Sequence, residues 1–306
     1  MKIFIPPLKC QGIKSKIVPM ILENARVPLS GKWIEPFMGS GVVGFNARPF
    51  EADFCDINPH IINFYRGIQS LEITATVVRA FLEREGRLLR ENGEAYYYKV
   101  RERFNKEGNP LDFLFLSRAD FNGIIRFNSK GEFNVPFCRK PGRFSKGYIT
   151  KIVNQVRSVY ELICSRDWNF NHEDFRSALA NADKNDFIYC DPPYFGRHTD
   201  YFNSWSEKDE HDLFILLSNT KAKFILSTWY GSEYRQNPMI SKYWRDFYVL
   251  KKDYFYHVGA KEINRKPIVE ALVMNYIPTE LKVTKYREKQ LVLLEKKAKY
   301  SAPESS

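Results

Sequence analysis

The chain has 306 residues, 44% of them hydrophobic and 27% charged, a balance that fits a globular protein and excludes disorder as a description of the whole chain. At roughly 100–200 residues per domain the length allows two domains, or one large domain carrying an insertion. Lysine and arginine number 47 against 36 acids, a net charge of +11, which favours an anionic partner, nucleic acid first, over solubility alone.

The opening stretch, Met1 to Gly12, lacks the apolar run and small-residue cleavage site of a secretory signal. No later stretch approaches the ~18 consecutive apolar residues of a membrane span. A cytoplasmic protein without a membrane partner is expected. Lys32–Phe37 reads as a short buried strand, Met38–Gly41 as a turn, and Val42–Asn46 as the start of a helix. Ala52–Asn58 reads as a second strand that ends near an acid. Strand, glycine turn, helix, strand and acid open a doubly wound α/β sheet.

From Pro59 to Gly147 the character changes. Two charged helical stretches, about Ile73–Glu91 and Ala95–Lys106, precede an apolar one, Leu111–Leu116. An irregular run from Arg118 to Phe137 follows, and Asn128-Ser129-Lys130-Gly131 within it marks a hairpin. This block reads as an insertion into the sheet. The α/β pattern resumes with a helix over Thr150–Leu162, strands at Phe187–Cys190 and Phe224–Ser227, a helix over Glu207–Ser218 between them, and a last strand at Val269–Tyr276. Beyond Pro278 the chain is basic, a solvated helix or partly disordered tail.

The five cysteines, Cys10, Cys55, Cys138, Cys164 and Cys190, are odd in number and form no CxxC pair. That argues against a disulfide framework and against a zinc site, and core packing is their expected role. No His/Asp cluster has metal-ligand spacing, so no metal is expected.

Two motifs carry chemistry. In Glu35-Pro36-Phe37-Met38-Gly39-Ser40-Gly41, glycines after a strand let the backbone bend sharply and let a ligand approach main-chain N–H groups. Alone, such a turn is weak evidence, since it also serves as a tight connection. Asp56, about 15 residues further on, stands where a carboxylate accepts hydrogen bonds from ribose hydroxyls. Together they suggest a nucleoside-containing cofactor, against a surface aspartate as the bland reading. The second motif, Asp191-Pro192-Pro193-Tyr194, directly follows a strand and is more specific. Two prolines fix φ and stiffen the turn. They can aim the Asp191 carboxylate and the Pro192 carbonyl at one region, two acceptors suited to an NH2 group. Tyr194 adds a face for a planar base; the alternative is a rigid surface loop.

With these motifs in this order, the chain resembles the S-adenosylmethionine-dependent DNA amino-methyltransferases, and most closely the Dam-type adenine enzymes of the D12 class. The resemblance spans roughly residues 5–277. It includes Lys9-Cys10-Gln11-Gly12-Ile13-Lys14, the glycine turn, Asp56-Ile57-Asn58, and the run Phe121-Asn122-Gly123 through Arg126-Phe127-Asn128 to Gly131–Phe137. It departs from the family at Cys10, Gln11, Ile13 and Ile124.

The resemblance implies a Rossmann-like α/β methyltransferase sheet with an inserted, mainly helical recognition domain bearing the hairpin. The catalytic domain would be 1–59 with 148–278, the target-recognition domain 60–147, and the basic tail 279–306. S-adenosylmethionine would lie across the sheet edge, leaving as S-adenosylhomocysteine. Lys14 would reach its carboxylate, and Glu35, Phe37, Gly39, Ser40 and Gly41 would line its methionine and ribose. Asp56 would hold the ribose and Ile57 the adenine ring, with Asp174, Phe175 and Asp191 completing the cofactor site. His172 reads as a satisfied loop histidine.

The substrate implied is adenine in duplex DNA, flipped out of the helix at a cost of a few kcal/mol. Asp191, Pro192, Pro193 and Tyr194 would hold it while the methyl group passes directly to N6. Cys190 is read as packing, because this chemistry needs no thiol nucleophile. Lys9, Asn122, Ile124, Arg126, Asn134 and Pro136 would read bases, while Arg139, Lys140, Arg143 and Lys146 would touch phosphates. Thr199–Phe202 would form a loop closing over the flipped base. A monomer is implied, in a Dam-like role or beside a cognate restriction endonuclease. The rivals are a cytosine-N4 methyltransferase, an RNA or protein-glutamine methyltransferase, a nicotinamide or flavin oxidoreductase, and a non-catalytic DNA-binding module on the same fold.

Overall fold

The computed structural model describes residues 2–10, 12–196, 205–231, 235–255 and 267–279. Gln11, the expected closing loop at Thr199–Phe202, and the basic tail after Thr279 lie outside these residues.

The centre is a seven-stranded sheet of β1 (Trp33–Glu35), β2 (Glu51–Asp56), β3 (Asp167–His172), β4 (Phe187–Cys190), β5 (Lys223–Gly231), β6 (Tyr248–Phe255) and β7 (Pro267–Met274). Their order is β3-β2-β1-β4-β5-β7-β6. Neighbours are parallel from β3 through β5, and β7 runs antiparallel to both β5 and β6. The chain winds outward from β1 in one direction and from β4 in the other. The crevice between these two strands is the switch point where such sheets bind ligands.

Alternation along the strands divides the core. On one face Trp33, Phe54, Trp168, Phe170, Phe187 and Tyr189 pack beneath α1 (Val18–Asn24), α2 (Val42–Ala47) and α3 (Pro59–Gln69). On the other, Ile34, Ile188, Cys190, Leu226 and Val273 pack beneath α7 (Phe175–Leu179), α8 (Glu207–Asn219) and α9 (Pro238–Tyr243). α3 is tied to the sheet by Arg66 Nε and Gln69 Nε2, which donate to the carbonyls of Phe170 and Trp168 at 2.7 and 2.8 Å.

Between α3 and β3 lie α4 (Ala75–Glu107), α5 (Pro110–Ala119), an extended segment, and α6 (Lys146–Cys164). α4 is two helices joined at Gly93, whose φ of 59° and ψ of −138° break the helix. A positive φ is cheap for glycine, and the two expected helical stretches fall on either side. Across the break, the buried carboxylate of Glu85 accepts from Arg103 Nη2 at 2.9 Å and Tyr96 Oη at 2.8 Å. The segment after α5 folds back on itself, as its turn residues predict. Asn128 and Gly131 close the turn, but pairing is limited to isolated bridges, Phe127 with Phe133 and Asp120 with Phe137. Phe127, Phe133 and Phe137 join the same core as the sheet, while Phe121 stays exposed.

Candidate functional site

The carboxyl ends of β1, β2 and β4 converge on one crevice. β1 ends in Glu35, and the turn after it is held from three sides. Met38 N donates to the Cys55 carbonyl at 2.9 Å, Gly39 N to Asp56 Oδ2 at 2.9 Å, and Tyr65 Oη to the Ser40 carbonyl at 2.6 Å. Gly39 and Gly41 have φ of 49° and 74°. A Cβ on Gly39 would meet nothing within 4 Å, so open space lies over its backbone. One on Gly44 would lie 2.2 Å from Phe54 Cε1 and 2.5 Å from Glu35 Oε2. Gly39, Gly41 and Gly44 thus stand in the full G-x-G-x-x-G spacing, and the third admits close packing of helix on strand. The case against a dinucleotide therefore rests on the Asp191–Tyr194 turn.

Asp56 accepts a second bond from Asn58 N, 2.9 Å from Oδ1, and burial pushes its carboxyl up to about 6. Ile57 is half-buried beside it. Glu35 is 1% exposed, accepts from Trp33 Nε1 at 2.9 Å, and is pushed by burial up to about 8. Behind the turn, Phe37 stacks on Phe175 with centroids 5.4 Å apart, and Trp205 meets both rings. Asp174 caps α7 through Arg176 N at 2.9 Å and pairs with the Arg176 guanidinium. His172 ends β3, with Nε2 3.1 Å from the Ile57 carbonyl, so it is satisfied as expected but from a strand.

The second wall is the turn after β4. Every residue of β4 is buried, Cys190 included, and burial pushes that thiol up, away from the thiolate a nucleophile needs. Asp191 emerges from the strand end with Oδ1 2.9 Å from Lys14 Nζ. Lys14 is itself buried, donates to the Gly12 carbonyl at 3.2 Å, and stands 4.8 Å from the centroid of the Tyr194 ring. Burial pushes the Asp191 carboxyl up to about 6; Lys14 holds it down, and Glu270 adds to the rise. Pro192 is buried and Pro193 half-buried. Tyr194 Oη donates to Glu270 Oε2 at 2.5 Å. The chain therefore gathers a glycine turn, a strand-end acid, a partly buried ion pair and an aromatic face at one edge.

The candidate base-reading residues line the folded-back segment and the N-terminal stretch of chain beside it. Arg118, buried in α5, holds that N-terminal chain by donating to the Pro7 and Pro6 carbonyls at 2.6 and 3.4 Å. The stem of Lys9 lies against Gly123, whose added Cβ would meet it at 2.6 Å. Asn122 is exposed with φ 63°, Pro136 is exposed, and Ile124 is half-buried against the core. Arg126 Nε donates to Asn134 Oδ1 at 2.8 Å, bringing two of the expected readers together. Arg139, Lys140 and Lys146 are exposed. Arg143 is instead engaged with the Arg118 carbonyl at 2.7 Å and Tyr148 Oη at 2.9 Å.

Three residues of this region escape the sequence motifs. Glu270 and Trp205 reach the site from distant strands and loops, and only the fold brings them there. Asp120, 3% exposed, accepts from Gly123 N at 2.8 Å and is pushed by burial up to about 8.

The family model for D12 class N6 adenine-specific DNA methyltransferases matches residues 11–258. Type II methyltransferase M.MjaIII of Methanocaldococcus jannaschii is 30% identical over 303 residues, covering 89% of this chain and 99% of its own length. Type II methyltransferase M1.LlaDCHI of Lactococcus lactis subsp. cremoris is 26% identical over 299 residues, covering 89% and 95%. A DNA adenine methylase of Haemophilus influenzae is 30% identical over 230 residues, covering 66% and 75%.

Proposed function

Since the chain belongs to the D12 class N6 adenine-specific DNA methyltransferases, an enzyme family that methylates adenine in DNA, we propose that it does so by flipping the target base into the crevice beside Asp191 and Tyr194, with S-adenosylmethionine as the donor. The residues present fit that donor. The open space over Gly39 admits a ligand against the backbone, Asp56 offers strand-end acceptors to ribose hydroxyls, and Phe37 and Phe175 offer an apolar aromatic wall. Glu35, Ser40, Gly41, Ile57 and Asp174 complete this wall of the crevice, and Lys14 has the donor's carboxylate and Asp191 as alternative partners. When bound, the donor supplies a methyl group on a sulfonium sulfur.

The protein's part is to hold the nucleophile. Asp191 Oδ1 and the Pro192 carbonyl accept the two amino hydrogens of adenine, which aims the nitrogen lone pair at the donor and stabilises positive charge as it develops. Tyr194 stacks on the base, and Pro193 keeps the turn rigid. Transfer is direct, with no covalent enzyme intermediate. The observation that carries this reading is the ammonium of Lys14, 2.9 Å from Asp191 and 4.8 Å from the Tyr194 ring. That ammonium, a nitrogen with hydrogens to donate, bridges the carboxylate and the ring that on this reading receive the amino group and the base.

On the same reading the segment 60–147 meets duplex DNA. Lys9, Asn122, Ile124, Arg126, Asn134 and Pro136 face base edges, and Arg139 and Lys140 face phosphates. The enzyme works as a cytoplasmic monomer, in a Dam-like role or beside a restriction endonuclease. The test is single-molecule sequencing of plasmid DNA from cells expressing the chain and, separately, Asp191→Ala. The expected result is methylated adenine within one short motif, lost in the variant. Methylation that survives Asp191→Ala overturns the proposed site.

A further inference from the structure

The two prolines after Asp191 fix the backbone of the turn but not the ring of Tyr194, which can still rotate about its own side-chain bonds. The far end of that ring is held elsewhere. Its phenol donates to Glu270 Oε2 at 2.5 Å, and Glu270 is 1% exposed. The topology explains how an acid arrives there. β7 runs against its neighbours, so its early residues, not its late ones, reach the edge where the parallel strands end. Glu270 lies opposite Trp229 in that ladder and is followed by four fully buried apolar residues, Ala271 to Met274. A carboxylate buried in such a strand is costly unless it is hydrogen-bonded, and the Tyr194 phenol supplies such a bond.

We infer that Glu270 is a positioning residue for methyl transfer: by holding the phenol of Tyr194 it fixes the plane of the ring against which the target adenine stacks. The inference rests on the proposed role of Tyr194 as that stacking face. Acting through Tyr194, Glu270 need not touch either substrate. Its effect follows from the steep dependence of transfer on alignment.

The experiment compares Tyr194→Ala, Tyr194→Phe, Glu270→Leu and Glu270→Gln. The readouts are the single-turnover rate, the fluorescence of 2-aminopurine at the target position, S-adenosylmethionine binding by calorimetry, and melting temperature. Glu270→Leu and Tyr194→Phe should each slow transfer by roughly 10- to 100-fold, with the double variant no slower than either. In both, the flipped 2-aminopurine should be brighter than with the unaltered enzyme, because the ring no longer stacks squarely, while donor binding is unchanged. Glu270→Gln, whose amide oxygen still accepts from the phenol, should recover most of the rate lost in Glu270→Leu. An active Tyr194→Ala enzyme overturns the stacking role and this inference with it. An inactive Tyr194→Ala beside full rates in Tyr194→Phe and Glu270→Leu overturns the inference alone. So does a Glu270→Leu loss accompanied by a large fall in melting temperature and not shared by Tyr194→Phe.

Discussion

Lys14 and Asp191 form an ion pair at the centre of the crevice, Nζ 2.9 Å from Oδ1, although one lies before the first helix and the other after the fourth strand. The pair sets the charge of the group proposed to hold the substrate amine. Burial pushes the Asp191 carboxyl up to about 6, the Lys14 ammonium opposes that, and Glu270 reinforces it. Only the carboxylate accepts both ways, so the rate should fall as pH drops through that value. Lys14→Met removes the cation that favours ionisation in the free enzyme, and the acid limb of kcat/KM against pH should move to higher pH. Lys14→Arg should leave it nearer its original place. An acid limb unmoved in Lys14→Met would mean that Asp191 does not set it.

Two glycines of one turn should fail in different ways. A Cβ on Gly44 collides with Phe54 and Glu35, both buried in the core, so Gly44→Ala should cost about 1–3 kcal/mol and lower the melting temperature by several degrees. A Cβ on Gly39 meets no atom. Gly39→Ala bears only the strain of a positive φ, of order 1 kcal/mol, yet fills the space proposed for the donor. It should melt close to the unaltered protein and bind S-adenosylmethionine far more weakly in calorimetry. Normal binding by Gly39→Ala would place the donor elsewhere.

Much of this was legible in the sequence because local chemistry and fold agree there. The glycine turn, Asp56 and the Asp191–Tyr194 turn each stand at the end of a short strand with buried apolar residues, and the structure places all three at one edge. β3 was harder to see. Trp168 and Phe170 point inward while Asp167 and Asn169 point outward, a short alternation that reads as a loop when only its His-Glu-Asp end draws notice. Among the described residues β6 is an edge strand that pairs with β7 alone, and Lys251 and Lys252 give it the polar character that edges favour. Glu270 was invisible because nothing in Ile268–Met274 tells that β7 reverses direction and brings an acid beneath a tyrosine. The Lys14–Asp191 contact was hidden for the same reason, since the family resemblance implies a cofactor partner for the lysine and the fold provides a carboxylate as well.

Asp120 should make stability depend on pH. Burial pushes its carboxyl up to about 8, against the pull of Lys9, the Gly123 amide, Arg143 and Arg118. The unfolded chain releases that proton near pH 4. Between about pH 4 and 8 the folded state therefore holds more protons, and its stability falls as pH rises through that window. Asp120→Asn cannot ionise and still accepts from Gly123 N. Its melting temperature relative to the unaltered protein should rise by a few degrees between pH 5 and pH 8.5. A difference independent of pH would show that the carboxyl titrates alike in both states.

Arg126 and Asn134 face each other across the folded-back segment, the guanidinium donating to the side-chain oxygen at 2.8 Å and to the backbone carbonyl at 3.4 Å. On the proposed reading of Arg126 as a base reader, its planar fork must be held at the angle a guanine edge requires, and the bond to Asn134 would supply that restraint from within the protein. Arg126→Ala should therefore cost about 1–3 kcal/mol of discrimination at one base position. Asn134→Ala should relax the same position, by less, because the fork survives but swings. The double variant should match Arg126→Ala, since the restraint has nothing left to hold. Methylation of a randomised library, scored position by position, separates these outcomes. If Asn134→Ala relaxes a different position from Arg126→Ala, Asn134 reads a base directly and the contact between them is incidental.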